Sequence, residues 1–157
     1  MSKQPNSRHC FVCGLENPSG LKMHFYSLKE GEVQAECTVP EPFQGYPGVV
    51  HGGVVASMLD EITGRAHWGG ENPQFMVTAQ LNVRYRKPVP VGQPLRLVGQ
   101  AGSREGRVAR ATGQIYNQDG VLLAEAEAVM VDIPAHMKPD IDPDSLGWKV
   151  YPDEEVQ

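Results

Sequence analysis

The sequence lacks a long hydrophobic run and a secretory signal. No apolar stretch approaches the roughly 20 residues that a membrane-spanning helix needs. The first ten residues contain no apolar core of the kind that signal peptides carry. We therefore expect a cytoplasmic protein that has no membrane-bound part.

The chain also lacks an excess of basic residues. It has 14 Lys and Arg against 19 Asp and Glu, a formal net charge of -5 and a pI of about 5.5. Nucleic-acid-binding domains usually present a basic face, so no nucleic-acid partner is predicted. The 157 residues and the hydrophobic fraction of 40% fit one globular domain.

Cysteine is scarce, with Cys10, Cys13 and Cys37 as the whole set. An odd number without a secretory signal favours reduced thiols. Cys10 and Cys13 form a Cys-x-x-Cys pair beside His9, and both residue types are good zinc ligands. Zinc sites usually show a second ligand pair at matching spacing, and neither His9 nor His24 clearly supplies one. We favour unliganded loop thiols and predict no metal and no cofactor, with zinc as the alternative.

Strand periodicity surrounds a single helical segment. Apolar and polar residues alternate over Leu21–Phe25 and over Val33–Val39, and Gly31 between them predicts a hairpin. Prolines and glycines mark residues 40–48 as a loop. The next segment, 52–68, has helical periodicity. Its predicted terminators are Gly69, Gly70 and Pro73.

Period-two alternation returns after the helix. It places Phe75, Val77 and Ala79 on one face together with Leu81, Val83 and Tyr85. Three more strands are predicted at about 93–103, 106–117 and 121–132, and Asn117–Gly120 is a strong hairpin signal. Phe75, Met76 and Val77 are our prediction for the lining of a ligand pocket.

A hairpin, one helix and four antiparallel strands predict an α+β fold. The helix is too apolar to lie on the surface, so the sheet must curl around it. We expect an irregular N-terminal segment at 1–19, a folded domain at 20–133, and an acidic, proline-containing tail at 134–157 that is irregular and mobile.

The helix has one apolar side and one side of small residues with a single acid. The apolar side consists of Val54, Val55, Met58, Leu59, Ile62 and Ala66. The opposite side consists of Gly53, Ala56, Ser57, Asp60, Thr63, Gly64 and His67. A solvated face normally carries Lys, Glu and Gln, so we interpret Asp60 as the reactive carboxylate. Glu61 is explained by an i,i+4 ion pair with Arg65.

The start of the helix predicts a site that binds an electrophile. His51-Gly52-Gly53 supplies two glycines at the first turn, where N–H groups are unsatisfied and carry partial positive charge. Glycine lets a ligand approach this backbone closely. Such a terminus can bind a phosphate or an oxyanion. Asp60 places a base or nucleophile on the same helix.

At this point a family resemblance is evident. The segment His51–Asp60 resembles the signature of hotdog-fold thioesterases of the phenylacetate-type (PaaI) and THEM acyl-CoA thioesterase group. Cys13–Leu21 is similar to their lead-in, and Thr78–Pro88 to the strand after their helix. The resemblance covers about residues 10–133. It implies a long helix wrapped by a curved antiparallel sheet, a homodimer or homotetramer, and active sites at the subunit interface.

The resemblance also implies an activity, which is hydrolysis of an acyl-CoA-type thioester to a free acid and CoA. Asp60 would be the general base or the nucleophile, and the Gly52 amide would be the oxyanion donor. Thr78, from the strand of the partner subunit, would position water or the carboxylate. His51 would orient the turn.

The substrate contacts depart from the family pattern at one position. Many members carry Asn or Gln six residues before the histidine, where this chain has Gly45, so the neighbouring Gln44 is our prediction for that amide. We expect Gly53 and Ser57, which share the face of Asp60, to contact the substrate.

Three other functions stay open. One is an acyl-CoA-binding or sensor protein without catalysis, in which Asp60 would not be needed. Another is a hotdog hydratase or dehydratase, for which His51 and His67 are the histidines near the helix. The third is a structural role, which a sealed face around Asp60 would favour.

Overall fold

The computed structural model describes residues 1–68 and 75–153 and confirms the α+β architecture. Helix α1 (Gly52–Ala66) packs on a seven-stranded antiparallel sheet. The strands are β1 (Ser2–Lys3), β2 (Phe25–Lys29), β3 (Glu32–Thr38), β4 (Met76–Tyr85), β5 (Pro94–Glu105), β6 (Val108–Tyr116) and β7 (Leu122–Asp132). Their order in the sheet is β1-β2-β3-β5-β6-β7-β4. No described helix is long and apolar enough to cross a membrane.

The first hairpin differs most from the predicted boundaries. β2 begins at Phe25, so Leu21 and Met23 precede the strand instead of forming it. Their N–H groups donate to the carbonyls of Phe11 and Val12 at 2.8 and 2.9 Å, which ties them to the N-terminal segment. Lys22 between them has a φ of 54°, which interrupts extended backbone.

The end of the helix also differs from the prediction. α1 ends at Ala66, and His67 is its C-cap, whereas periodicity extended the helix to Trp68. The His67 Nε2 atom lies 2.6 Å from the carbonyl oxygen of Arg110, so the ring leaves the helix for the sheet. The predicted terminators Gly69, Gly70 and Pro73 lie outside the described residues. The hairpin turn Asn117–Gly120 is confirmed, with a φ of 76° at Gly120.

Two glycines that face each other let α1 approach the sheet. Gly99 of β5 and Gly113 of β6 are paired in register. A Cβ atom on Gly99 would lie 2.4 Å from the carbonyl oxygen of Ile62, and one on Gly113 would lie 2.9 Å from the Ile62 Cγ2 atom. No side chain fits in these spaces. The helix backbone therefore lies directly against β5, and the side chains of Ile62 and Thr63 pack on β6.

This packing buries a residue that the helical wheel placed on the open side. Thr63 has no exposed surface, and its hydroxyl donates to the carbonyl of Asp60 at 2.8 Å. Arg65 is 2% exposed, and its Nε donates to Glu61 Oε1 at 2.8 Å, which confirms the predicted ion pair. The Arg65 guanidinium also lies 4.1 Å from the centre of the Phe25 ring.

The two terminal segments contact each other. Asn6 donates its backbone N–H to the carbonyl of Lys149 at 2.9 Å, and Arg8 donates to Leu146 at 3.0 Å. The Asn6 side chain is fully buried and donates to the carbonyls of Cys13 and Met23. The tail up to residue 153 has one short 3-10 turn, Lys138–Asp140, and lies over the N-terminal segment.

Gly99→Ala is expected to destabilise the fold, because the new Cβ would meet the Ile62 carbonyl and push α1 off the sheet. Overpacking of this kind costs about 1–3 kcal/mol. Urea unfolding followed by circular dichroism will measure the free energy of unfolding. The matched control is Gly64→Ala, whose Cβ has Met130 Sδ as its neighbour at 3.9 Å. Equal stability of the two variants would contradict the close approach.

Candidate active site

Asp60 and Thr78 form a hydrogen-bonded pair between the helix and the sheet. Asp60 is half-buried on α1, and the Thr78 hydroxyl of β4 donates to Asp60 Oδ1 at 2.5 Å. The family resemblance implied a hydroxyl from the partner subunit, whereas here both residues belong to one chain. β4 runs back along α1, so its first residues reach the C-terminal half of the helix.

A β-bulge in β4 explains why alternation alone put Thr78 on the wrong face. If side chains alternate strictly between the two faces of the strand from Phe75 to Tyr85, Thr78 and Tyr85 lie on opposite faces. The register of β4 against β7 shifts between Thr78 and Gln80, which inserts one extra residue. Thr78 and Tyr85 consequently both reach α1. Bulges commonly re-aim side chains in this way beside active sites.

The surroundings of Asp60 change its acidity in two directions. Burial raises the pKa of the Asp60 carboxyl above its ordinary value, and the neighbouring Glu61 carboxylate raises it further. The hydrogen bond from Thr78 acts against both by stabilising the charged form. A carboxylate that is partly desolvated and held in one orientation suits a general base or a nucleophile.

The first turn of α1 is held by side chains on both sides. The Gly53 N–H donates to His51 Nδ1 at 2.9 Å, so His51 caps the helix. The Tyr85 hydroxyl donates to the carbonyl of Gly52 at 2.7 Å. First-turn N–H groups have no partner inside a helix, and the Gly52 N–H is the one that a ligand could use. Sequence patterning identified Tyr85 as a strand residue and missed this contact.

Gly52 and Asp60 do not meet within one chain. They are eight residues apart, and a helix rise of 1.5 Å per residue separates them by about 12 Å along the axis. For hydrolysis, the attacking atom must come within about 3.5 Å of the carbonyl carbon. The N–H donor must bind the oxygen of that same carbonyl. The two groups of one helix therefore cannot act on the same carbonyl.

Two of the predicted substrate contacts are engaged within their own segments. The Gly48 N–H donates to Gln44 Oε1 at 3.2 Å, so Gln44 supports the loop before α1. The Ser57 hydroxyl donates to the carbonyl of Gly53 at 2.8 Å, one turn earlier in the helix. Gly53 is exposed at the helix terminus.

A cavity of about 470 Å³ opens beside Asp60 and Thr78. Its apolar lining consists of Trp68, Phe75, Met76, Met130, Leu146 and Trp148. Phe75 and Met76 had been expected in a ligand pocket, whereas Val77 is not part of this lining. The rings of Trp68 and Trp148 lie 4.7 Å apart between their centres, so the tail forms one wall.

Three side chains of types that commonly bind metal ions lie close together in the lining of the same cavity. The Cys10 Sγ atom lies 3.8 Å from Glu61 Oε2, and the donor atoms of Cys10, Cys13 and Glu61 all lie within 4.8 Å of one another. The hydrogen bond from Cys13 lowers the pKa of Cys10 to about 7. That same bond and burial raise the pKa of Cys13. All three cysteines of the chain are free thiols.

A second depression, of about 610 Å³, lies at the N-terminus of α1. It is lined by Gly45, Tyr46, Val49, Val50, His51, Gly52, Val55, Tyr85, Arg86, Lys87, Pro88 and Val89. The depression thus joins the first turn of the helix to two cationic side chains after β4.

Comparison with known proteins relates this chain to one family. The sequence model of the thioesterase superfamily matches residues 47–124. Rat acyl-coenzyme A thioesterase THEM4 (Rattus norvegicus) is 31% identical over 133 residues, which are 83% of this chain and 56% of the rat protein. The chain covers 36% to 56% of the length of five curated relatives that it matches.

Solved structures agree with this result. The crystal structure of a thioesterase superfamily protein, RHA08564, aligns with this chain at a TM-score of 0.72 and 39% sequence identity. The alignment covers 79% of this chain and 63% of RHA08564. The protein smu.793 of Streptococcus mutans, whose structure contains acetyl CoA, has a TM-score of 0.63 and 23% identity. The alignment covers 71% of this chain and 88% of the streptococcal chain. At that identity the second likeness supports the fold alone.

Proposed function

This chain belongs to the hotdog-fold thioesterase superfamily, and we propose that it hydrolyses an acyl-CoA-type thioester to a free acid and CoA. The proposal depends on one observation, the Asp60–Thr78 pair beside an apolar cavity of about 470 Å³. The name of the rat relative, an acyl-coenzyme A thioesterase, supports this class of substrate.

In the proposed reaction the acyl group occupies the apolar cavity and its carbonyl lies at Asp60. The Asp60 carboxylate takes a proton from water, and the oxygen of that water attacks the carbonyl carbon. The C–S bond then breaks, and the proton passes to the leaving CoA sulfur. Asp60 could instead attack the carbonyl carbon itself, which breaks the C–S bond, releases the CoA thiolate and forms a mixed anhydride; water then opens the anhydride, and its proton neutralises the thiolate. In both routes Thr78 positions the carboxylate.

The oxyanion donor is assigned to Gly52 of a second copy of the chain. Within the described residues β4 lies at the edge of the sheet, with β7 as its neighbour. A ten-residue edge strand is a ready pairing surface. A two-fold axis beside β4 makes the helix of the second copy run in the opposite direction to the helix of the first copy. The N-terminus of the second helix then faces the C-terminal half of the first helix. We propose a homodimer, or a tetramer of such dimers, with two composite sites.

The CoA moiety is assigned to the depression at the helix N-terminus. The partial positive charge of a helix N-terminus attracts phosphate, while the Gly52 N–H itself is assigned to the oxyanion. Arg86 already pairs with Glu125 at 2.8 Å, so Lys87 is the cation that we assign to the phosphates. His51 and Tyr85 hold the first turn in place.

Asp60→Asn is expected to lower kcat at least about 100-fold, because the amide can neither accept the proton nor attack the carbonyl. The measurement is thiol release, followed with a thiol-reactive dye, from short-chain, aromatic and long-chain acyl-CoAs. Asp119→Asn removes an exposed carboxylate from the β6–β7 turn and serves as the matched control. Its kcat should stay at the wild-type value.

Two results of this assay would overturn the proposal. Thiol release that survives Asp60→Asn would remove Asp60 from the mechanism. A wild-type protein that binds acyl-CoA in calorimetry, yet releases no thiol from any member of the panel, would be an acyl-CoA-binding protein instead of an enzyme.

Thr78→Val is expected to lower kcat roughly 10- to 100-fold and to change KM little. The substitution keeps the volume and removes a hydrogen bond to a charged group, which contributes about 1.5–3 kcal/mol. Thr78→Ser restores the hydroxyl and should recover most of the activity. A serine variant as slow as the valine variant would show that Thr78 acts through the packing of its methyl group.

Mixing two inactive variants tests whether the sites are composite. Gly52→Pro removes the proposed oxyanion N–H at a position where proline is well tolerated. In a random mixture with Asp60→Asn, half of the dimers contain one copy of each variant, and each of these has one intact site. The mixture should regain about a quarter of the wild-type activity. No recovery from two folded, dimeric variants would show that Asp60 of one copy does not act together with Gly52 of the other.

A further inference from the structure

The cluster of Cys10, Cys13 and Glu61 has no part in the proposed hydrolysis. It joins the N-terminal turn to α1 at the edge of the cavity. We propose that these three side chains bind a thiophilic divalent cation of the zinc class, which fastens the N-terminal segment to the helix. The sequence alone favoured loop thiols because no second ligand pair was visible. The third ligand comes from a helix 51 residues away.

The distances fit a tetrahedral site. The three donor atoms lie within 4.8 Å of one another, and Cys10 Sγ is 3.8 Å from Glu61 Oε2. Zinc bonds of about 2.3 Å to sulfur and 2.0–2.2 Å to oxygen place these two atoms about 3.5 Å apart across a tetrahedral angle. These two atoms would therefore approach by a few tenths of an ångström around a cation, and the other two donor pairs by at most about 1.3 Å.

The turn that carries the cysteines is shaped to hold a charged sulfur. The N–H groups of Val12 and Cys13 point at Cys10 Sγ, at 3.4 and 3.5 Å. A Cβ atom on Gly14 would lie 2.4 Å from the carbonyl oxygen of Cys10, so the turn admits no side chain there. The Ser7 hydroxyl lies 3.5 Å from Cys13 Sγ. Hydrogen bonds to ligand sulfurs orient them and stabilise their charge.

Glu61 is held as metal-binding carboxylates usually are. Its Oε1 atom accepts the hydrogen bond from Arg65 Nε at 2.8 Å, which leaves Oε2 facing Cys10. A carboxylate that binds a metal through one oxygen is commonly hydrogen-bonded through the other. Two thiolates and one carboxylate carry three negative charges, which a divalent cation and the buried Arg65 guanidinium together neutralise.

The fourth coordination position faces the cavity, because all three ligands belong to its lining. Water can fill that position, and so can His9, which precedes Cys10 and lines the same cavity. Three protein ligands and one exchangeable position form a stable zinc arrangement. The cation would fix the N-terminal wall of the cavity to the helix, one residue from Asp60.

Cobalt(II) binding to the reduced, full-length protein tests the site. Wild type should bind one cobalt per chain, with visible d–d bands of tetrahedral geometry and a sulfur-to-cobalt charge-transfer band, and zinc should displace the cobalt. Saturating zinc should raise the unfolding temperature. Cys10→Ser and Cys13→Ser should each weaken cobalt binding at least about 100-fold. The control Cys37→Ser removes the thiol outside the cluster and should bind like wild type.

A second measurement needs no variant. Zinc should protect Cys10, the more accessible thiol of the cluster, from alkylation by iodoacetamide, as mapped by mass spectrometry, and should leave the alkylation rate of Cys37 unchanged. Equal alkylation of Cys10 with and without zinc would overturn the proposal, as would a wild-type protein without the charge-transfer band. Both measurements report cation binding, so their failure would leave the thioesterase proposal standing.

Glu61→Gln tests the third ligand. Without the Glu61 carboxylate, the affinity for cobalt should fall about tenfold or more. The sulfur-to-cobalt charge-transfer band should persist, because both thiolates remain. Unchanged affinity in a folded Glu61→Gln variant would overturn the assignment of Glu61.

Discussion

The close approach of α1 to the sheet is the constraint on which the rest of the structure depends. Gly99 and Gly113 leave no room for a side chain, so the helix backbone lies against β5 and the Ile62 side chain lies against β6. That depth buries the C-terminal half of α1 and places Asp60 within reach of Thr78. Arg65, on the same half of the helix, is buried against the rings of Phe25, Trp68 and Trp148, and its guanidinium orients Glu61. The two glycines thus set the depth of the helix that carries both Asp60 and Glu61.

The order of the elements was predictable because each strand and the helix carry their own periodicity. Alternation with a period of two and one segment with a period near 3.6 are local signals, and short turns join antiparallel neighbours. The small face around Asp60 was visible for the same reason. The i,i+4 pair of Glu61 and Arg65 needed no knowledge of the fold, since both residues lie on one helix face.

The geometry of the site was less predictable, because it depends on one inserted residue and on contacts between distant segments. The bulge after Thr78 has no clear composition signal, yet it moves Thr78 from the outer face to Asp60. Glu61 meets Cys10 across 51 residues, a contact that no spacing rule within one motif can reveal. Trp148 likewise joins the cavity wall from a tail whose composition predicts irregular structure.

The length of α1 links the proposed chemistry to assembly. The proposed donor at its first turn and the carboxylate eight residues later are too far apart for one thioester, so in the proposed mechanism a single copy carries halves of two different sites. A second copy, with its helix reversed, would complete both sites at once. This requirement accounts for the small residues between the two ends, since bulky side chains there would hold the second copy away. In this proposal the face of α1 that is free of large side chains serves both the substrate and the subunit contact.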